Sequence, residues 1–112
     1  MSVDKRIVME SKGSYYVSVP ADWVKRHGLK KGDRFRLYYS DTPVLTAISF
    51  NNVLKLDGFT AERILQIFGS SLYFSLPMTW CRRYNVTDDS TLLVEKIVEN
   101  GTLLYSIEKE GT

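Results

Sequence analysis

The feature that most restricts this 112-residue chain is that it repeats itself. Residues 6–37, RIVMESKGSYYVSVPADWVKRHGLKKGDRFRL, align on residues 63–94, RILQIFGSSLYFSLPMTWCRRYNVTDDSTLLV, at an offset of 57 with no gap. Identical pairs include Arg6/Arg63, Ile7/Ile64, Tyr16/Tyr73, Ser18/Ser75, Pro20/Pro77, Trp23/Trp80 and Arg26/Arg83. Conservative pairs such as Val8/Leu65, Val17/Phe74, Val19/Leu76, Leu29/Val86, Phe35/Leu92 and Leu37/Val94 keep the apolar positions in step. The chain's two tryptophans fall on the same repeat position. Self-similarity at a fixed period means one supersecondary unit used twice.

The local pattern gives both units one plan. Arg6–Glu10 and Tyr15–Val19 are β-rich and are joined by a turn over Ser11–Ser14, which contains Lys12-Gly13. Pro20 lacks an N–H and suits a helix start, and a short helix is expected over Ala21–His27. Gly28 stops it, with Asn85 in the same place in the second copy, because the chain there needs a left-handed residue. Helical spacing turns Trp23, Val24 and His27 inward and Lys25 and Arg26 outward; Trp80, Cys81 and Tyr84 repeat the inward set, Arg82 and Arg83 the outward one. Strands follow over Arg34–Tyr39 and Val44–Phe50, around a turn at Ser40–Pro43, and over Thr91–Val98 and Leu103–Glu108, around the Asn-Gly hairpin signal of Glu99-Asn100-Gly101. A unit of this size leaves open strand edges and little core, so two copies are expected to close on each other. The expected domain is a single one over 1–112. It comprises repeat one at 5–50, a connecting segment at 51–62 with a short strand Val53–Leu56 and a turn at Asp57-Gly58, and repeat two at 63–109.

Composition narrows the function. With 44% apolar and 25% charged residues the chain reads as a globular domain rather than a disordered tail. One cysteine excludes an internal disulfide framework and a Cys-rich zinc module. The start, Met-Ser-Val-Asp-Lys-Arg, lacks the apolar run of a secretory signal. Ile64 to Cys81 carries no charge over 18 residues, yet Gln66, Gly69, four polar hydroxyl residues and Pro77 make it too polar to span a bilayer. The expectation is a soluble cytoplasmic protein with no membrane partner. Net charge is +2, but residues 1–56 carry ten Lys/Arg against five Asp/Glu, and residues 57–112 five against eight. A basic half joined to an acidic one suggests a face for a polyanion.

The order of hairpin, Gly-Ser, strand ending in aliphatic-Pro, short basic helix, Gly, Gly-Asp turn and second hairpin resembles the SpoVT/AbrB-like domain. GSYYVSVPADWVKRHGLKKGDRFRL and GSSLYFSLPMTWCRRYNVTDDSTLLV both carry it, and together they bring nearly the whole chain under the resemblance. The resemblance implies a swapped-hairpin β-barrel of two intertwined ββαββ units, mostly β with two short helices. Family members normally dimerise from single copies, so two copies imply a covalent pseudo-dimer. It also implies a sequence-specific, double-stranded DNA-binding transcription regulator, nucleoid-associated. The alternative is a protein-interaction module such as a MazE-like antitoxin or adaptor; no toxin-wrapping tail is expected after Lys109–Thr112.

Carried over by position, the DNA-binding candidates are Lys5, Arg6, Lys12, Ser18, Lys25, Arg26, Arg63, Arg82 and Arg83. Relatives often place Arg where Ser18 and Ser75 stand, and Phe68-Gly69-Ser70-Ser71 has no cation matching Lys12, so the second half is expected to touch DNA less. A homodimer through that less basic half has room to form. Trp23 and Trp80 belong to the core, and lone His27, Cys81 and Asp88-Asp89 form no catalytic or metal constellation. No glycine-rich phosphate loop or triad is present, so neither enzymatic activity nor a cofactor is expected.

Overall fold

The computed structural model describes residues 3–39, 42–49, 59–97 and 102–108. Its elements, in chain order, are β1 (Val3–Ile7), β2 (Met9–Ser11), β3 (Ser14–Ser18), α1 (Ala21–His27), β4 (Arg34–Tyr39) and β5 (Val44–Ser49). They are followed by β6 (Phe59–Ile64), β7 (Gln66–Phe68), β8 (Ser71–Ser75), α2 (Met78–Arg83), β9 (Thr91–Ile97) and β10 (Thr102–Ile107). The protein is mostly β with two short helices, its curled antiparallel sheets forming a half-barrel. No helix among the described residues is long and apolar enough to cross a membrane.

Both helices form where the sequence places them. The Pro20 carbonyl accepts the first helical bond from the Val24 N–H, so Pro20 stands as the cap residue and the helix proper starts at Ala21. Gly28 ends α1 at φ 61°, and the Leu29 N–H closes back on the Val24 carbonyl at 3.0 Å. The second copy repeats this closure, with Asn85 at φ 56° and the Val86 N–H on the Cys81 carbonyl at 2.8 Å. The hairpin turns differ. Lys12 and Gly13 both have positive φ, the type I′ signature, whereas in the second copy Gly69 alone does, as in type II′.

One expected strand is split. Arg6–Glu10 is interrupted at Val8, and Leu65 interrupts the second copy at the same point. Both residues are buried, and there the chain leaves one sheet for the other. The Val8 N–H donates to the Ser90 carbonyl, while Leu65 exchanges bonds with the Gly32–Asp33 backbone of the first repeat. Strand β6 begins at Phe59, so the strand that opens repeat two reaches into the expected connecting segment. The expected strand Val53–Leu56 and the turns at Asp57-Gly58 and Glu99-Asn100-Gly101 lie outside the described residues.

The six-stranded sheet runs β1-β9-β10-β5-β4-β6 and the four-stranded sheet β2-β3-β8-β7. Four of the eight ladders join the two repeats: β1 to β9, β6 to β4, β10 to β5 and β3 to β8. Each repeat therefore gives its first strand to the other, and a pseudo-two-fold axis passes through the Val17↔Phe74 pair. The inward faces enclose one core. Leu37, Leu45, Ala47, Leu92, Val94, Leu103 and Tyr105 come from the large sheet, Val17, Leu72 and Phe74 from the small one, and Trp23, Trp80 and Cys81 from the helices. Neither repeat encloses a core alone, because each apolar face is covered by the other's strands.

Candidate nucleic-acid interface

The small sheet and the two helices position the cations, and strand exchange decides which cations become neighbours. The Leu76 N–H donates to the Tyr15 carbonyl at 2.8 Å, so β8 leads into α2 beside the Lys12–Gly13 turn. The symmetric bond from the Val19 N–H to the Leu72 carbonyl, at 2.9 Å, brings the start of α1 beside the Gly69–Ser70 turn. Lys12 thus shares its end of the sheet with α2, which bears Arg82 and Arg83. Lys25 and Arg26, on α1, lie toward the end whose turn has no cation. All five of these side chains are exposed. The grouping crosses the repeats, each dibasic helix standing toward the hairpin turn of the other copy.

The remaining candidates are placed differently. Lys5 and Arg6 lie on β1 in the large sheet, not on the ribbon that carries Lys12. The Lys5 ammonium faces the Glu108 carboxylate at 3.3 Å. Arg6 is partly buried, with Nη1 donating to the Lys5 carbonyl at 3.2 Å, Nη2 3.7 Å from Asp4, and a buried Nε that has no hydrogen-bond partner among the described residues. Arg63 donates from Nε to the Ser75 carbonyl at 3.1 Å and from Nη1 to the Glu62 carbonyl at 3.0 Å. Arg63 thus ties β6 of the large sheet to β8 of the small one, whereas the Arg6 contacts stay within β1. The Ser18 carbonyl accepts the Tyr105 hydroxyl at 2.9 Å, and burial pushes that phenol far above its ordinary range. The Ser18 side chain keeps a partly exposed outward position.

No family model matches the chain, and neither a curated protein nor a solved structure matches it. The site therefore stands on its geometry.

Trp23 and Trp80, only 4% and 2% exposed, are core residues, so base stacking does not involve them. Cys81 is sealed at 1% exposure, and burial pushes its thiol up to about 11, which keeps it protonated and unreactive near neutrality. The His27 ring lies 4.8 Å from that of Trp23. The Asp88–Asp89 turn is bound to itself, with the Asp89 N–H on Thr87 Oγ1 and the Thr87 N–H on Ser90 Oγ. Beside α2 a cleft of about 370 Å³ is lined by Tyr15, Met78, Arg82 and Thr87, which again brings the Lys12 hairpin and α2 together.

Sequence reasoning missed two features. Lys96 of β9 reaches back to α1 and donates to the Asp22 carboxylate at 2.8 Å, with Asp4 at 3.7 Å. That hydrogen bond holds the Asp22 carboxyl below the usual carboxylate range and raises Lys96. The two partners lie 74 residues apart, so no local pattern announces them. The second feature is an outward aromatic cluster on the small sheet. The identical pair Tyr16/Tyr73 was its visible signal, but Phe68 has Ser11 as its counterpart and drops out of any repeat comparison.

Proposed function

We propose that the protein is a double-stranded DNA-binding transcriptional regulator of the SpoVT/AbrB-like type, a swapped-hairpin barrel folded as a covalent pseudo-dimer. The observation that carries this reading is the reciprocal strand exchange, β1 onto β9 and β6 onto β4, which is what two swapped units on one chain require. Further support comes from the exposed cations Lys12, Arg82 and Arg83 toward one end of the small sheet and Lys25 and Arg26 toward the other. Lysine neutralises phosphates as a point charge, whereas arginine also forks onto a guanine edge in the major groove. On this reading the protein is cytoplasmic and nucleoid-associated, and neither Arg6 nor Arg63 is a principal contact, since Arg63 is held by two backbone carbonyls and Arg6 is partly buried beside Asp4.

Duplex titration at several salt concentrations tests the proposal. Five phosphate contacts would give a slope of log affinity against log salt of about −4 to −5. Replacing Lys12, Arg82 and Arg83 by Ala should flatten it by about 2.7, and replacing Lys25 and Arg26 by about 1.8, with circular dichroism unchanged. Salt-independent or absent binding across a pool of genomic duplexes would overturn the regulator reading and favour the protein-interaction module.

A further inference from the structure

The outward face of the four-stranded sheet has an unusual composition. On β3 it presents Ser14, Tyr16 and Ser18, and on β8 their repeat counterparts Ser71, Tyr73 and Ser75, alternating with the buried Val17, Leu72 and Phe74. Phe68 on β7 completes the face. Its ring centroid lies 5.2 Å from that of Tyr16 at 67° and 5.3 Å from that of Tyr73 at 85°, so the three rings form one edge-to-face cluster. All three are partly exposed. The four strands contain no Lys or Arg and one acid, Glu10, which pairs with Tyr15 and by alternation belongs to the opposite face. The outward face is thus aromatic, hydroxyl-rich and uncharged, and each end meets a helix bearing a dibasic pair.

We infer that this face is a stacking platform for the unpaired bases of single-stranded DNA. The occupant follows from the chemistry. Aromatic rings offer π-faces to any base, and the serine hydroxyls can pair with base edges. The absence of outward carboxylates removes repulsion of the backbone, and the cations toward both ends of the sheet are complementary to its phosphates. A four-stranded sheet of this width holds two or three stacked bases. Stacking needs no ribose hydroxyl, so a deoxy strand satisfies the site. Paired bases in a duplex are already stacked, so this activity is separate from the duplex binding proposed above and does not depend on it.

The test is a fluorescence-anisotropy titration of a labelled mixed-sequence deoxy 12-mer, with a hairpin duplex and a ribo 12-mer of the same sequence as comparison arms. Tyr16→Leu, Phe68→Leu and Tyr73→Leu keep apolar bulk but remove the π-face. Each should weaken single-strand binding by roughly fivefold to 100-fold, leave the duplex arm within about twofold, and preserve the circular dichroism spectrum. A 5-iodouracil-substituted strand should cross-link to Tyr16, Phe68 or Tyr73. Four results would overturn the inference: no single-strand binding by the intact protein, unchanged binding by all three Leu variants, cross-links only elsewhere, or a more than tenfold preference for the ribo strand. A fifth would assign the face to a second copy of the chain: sedimentation showing a dimer that the Leu variants dissociate. Loss of the duplex arm alone would sink the regulator reading and leave the platform standing.

Discussion

Helices α1 and α2 descend from the same stretch of repeated sequence, yet they are tied to the protein by different means. On α1 the tie is ionic: Asp22 in the first turn holds Lys96 of the other repeat, at the solvent boundary. On α2 the equivalent position is Thr79, and the tie is a buried one. Trp80 Nε1 donates to the Thr42 carbonyl of the first repeat at 3.1 Å, with Cys81 packed beneath. Both ties cross between repeats. The duplicated core positions stayed apolar because each is enclosed by both copies, whereas the peripheral contacts diverged because solvent tolerates many solutions there.

The largest expected effect tests whether the two regions are separable at all. Residues 1–56 and 57–112, expressed alone, should each fail to fold, since each would expose an apolar sheet face and lose the strand supplied by the other. Mixing them should restore a dispersed amide spectrum. A folded isolated half would break the picture of mutual enclosure.

Next come the tryptophans. Trp80→Ala should cost about 3–5 kcal/mol in urea denaturation. Trp23→Ala should fall in the same range, because Trp23 fills the equivalent core position and is buried to the same degree. A loss well below that range at either position would mean that its indole is not enclosed by both copies.

The smallest effect belongs to the ionic tie. Asp22→Asn should lower stability at pH 7 by about 0.5 kcal/mol, because Asp22 is largely exposed and solvent screens the pair. Since Lys96 lowers the Asp22 pKa, the contribution is present above the ordinary carboxylate value and disappears as pH falls through the lowered one. At the alkaline side it disappears as pH rises through the raised value of Lys96. Wild type and variant should therefore converge as pH falls through the lowered Asp22 value and differ most across the neutral range, as read by chemical denaturation at stepped pH.

By itself the sequence determined what depends on near neighbours. The α1 span, the left-handed stops at Gly28 and Asn85, the strand Arg34–Tyr39 and the inward tryptophans all follow from spacing over a few residues, and the duplication let each be read twice. Only the tertiary structure decided who stands beside whom. Val8 and Leu65 break their strands because the chain must pass from one sheet to the other, a demand set by the partner repeat and not by local propensity. The same crossing takes Arg6 away from Lys12, puts Lys12 on the side of Arg82 and Arg83, and brings Asp22 to Lys96. Strand pairing is a long-range choice made when two apolar faces bury each other. Charges carried at strand ends go where that burial sends them.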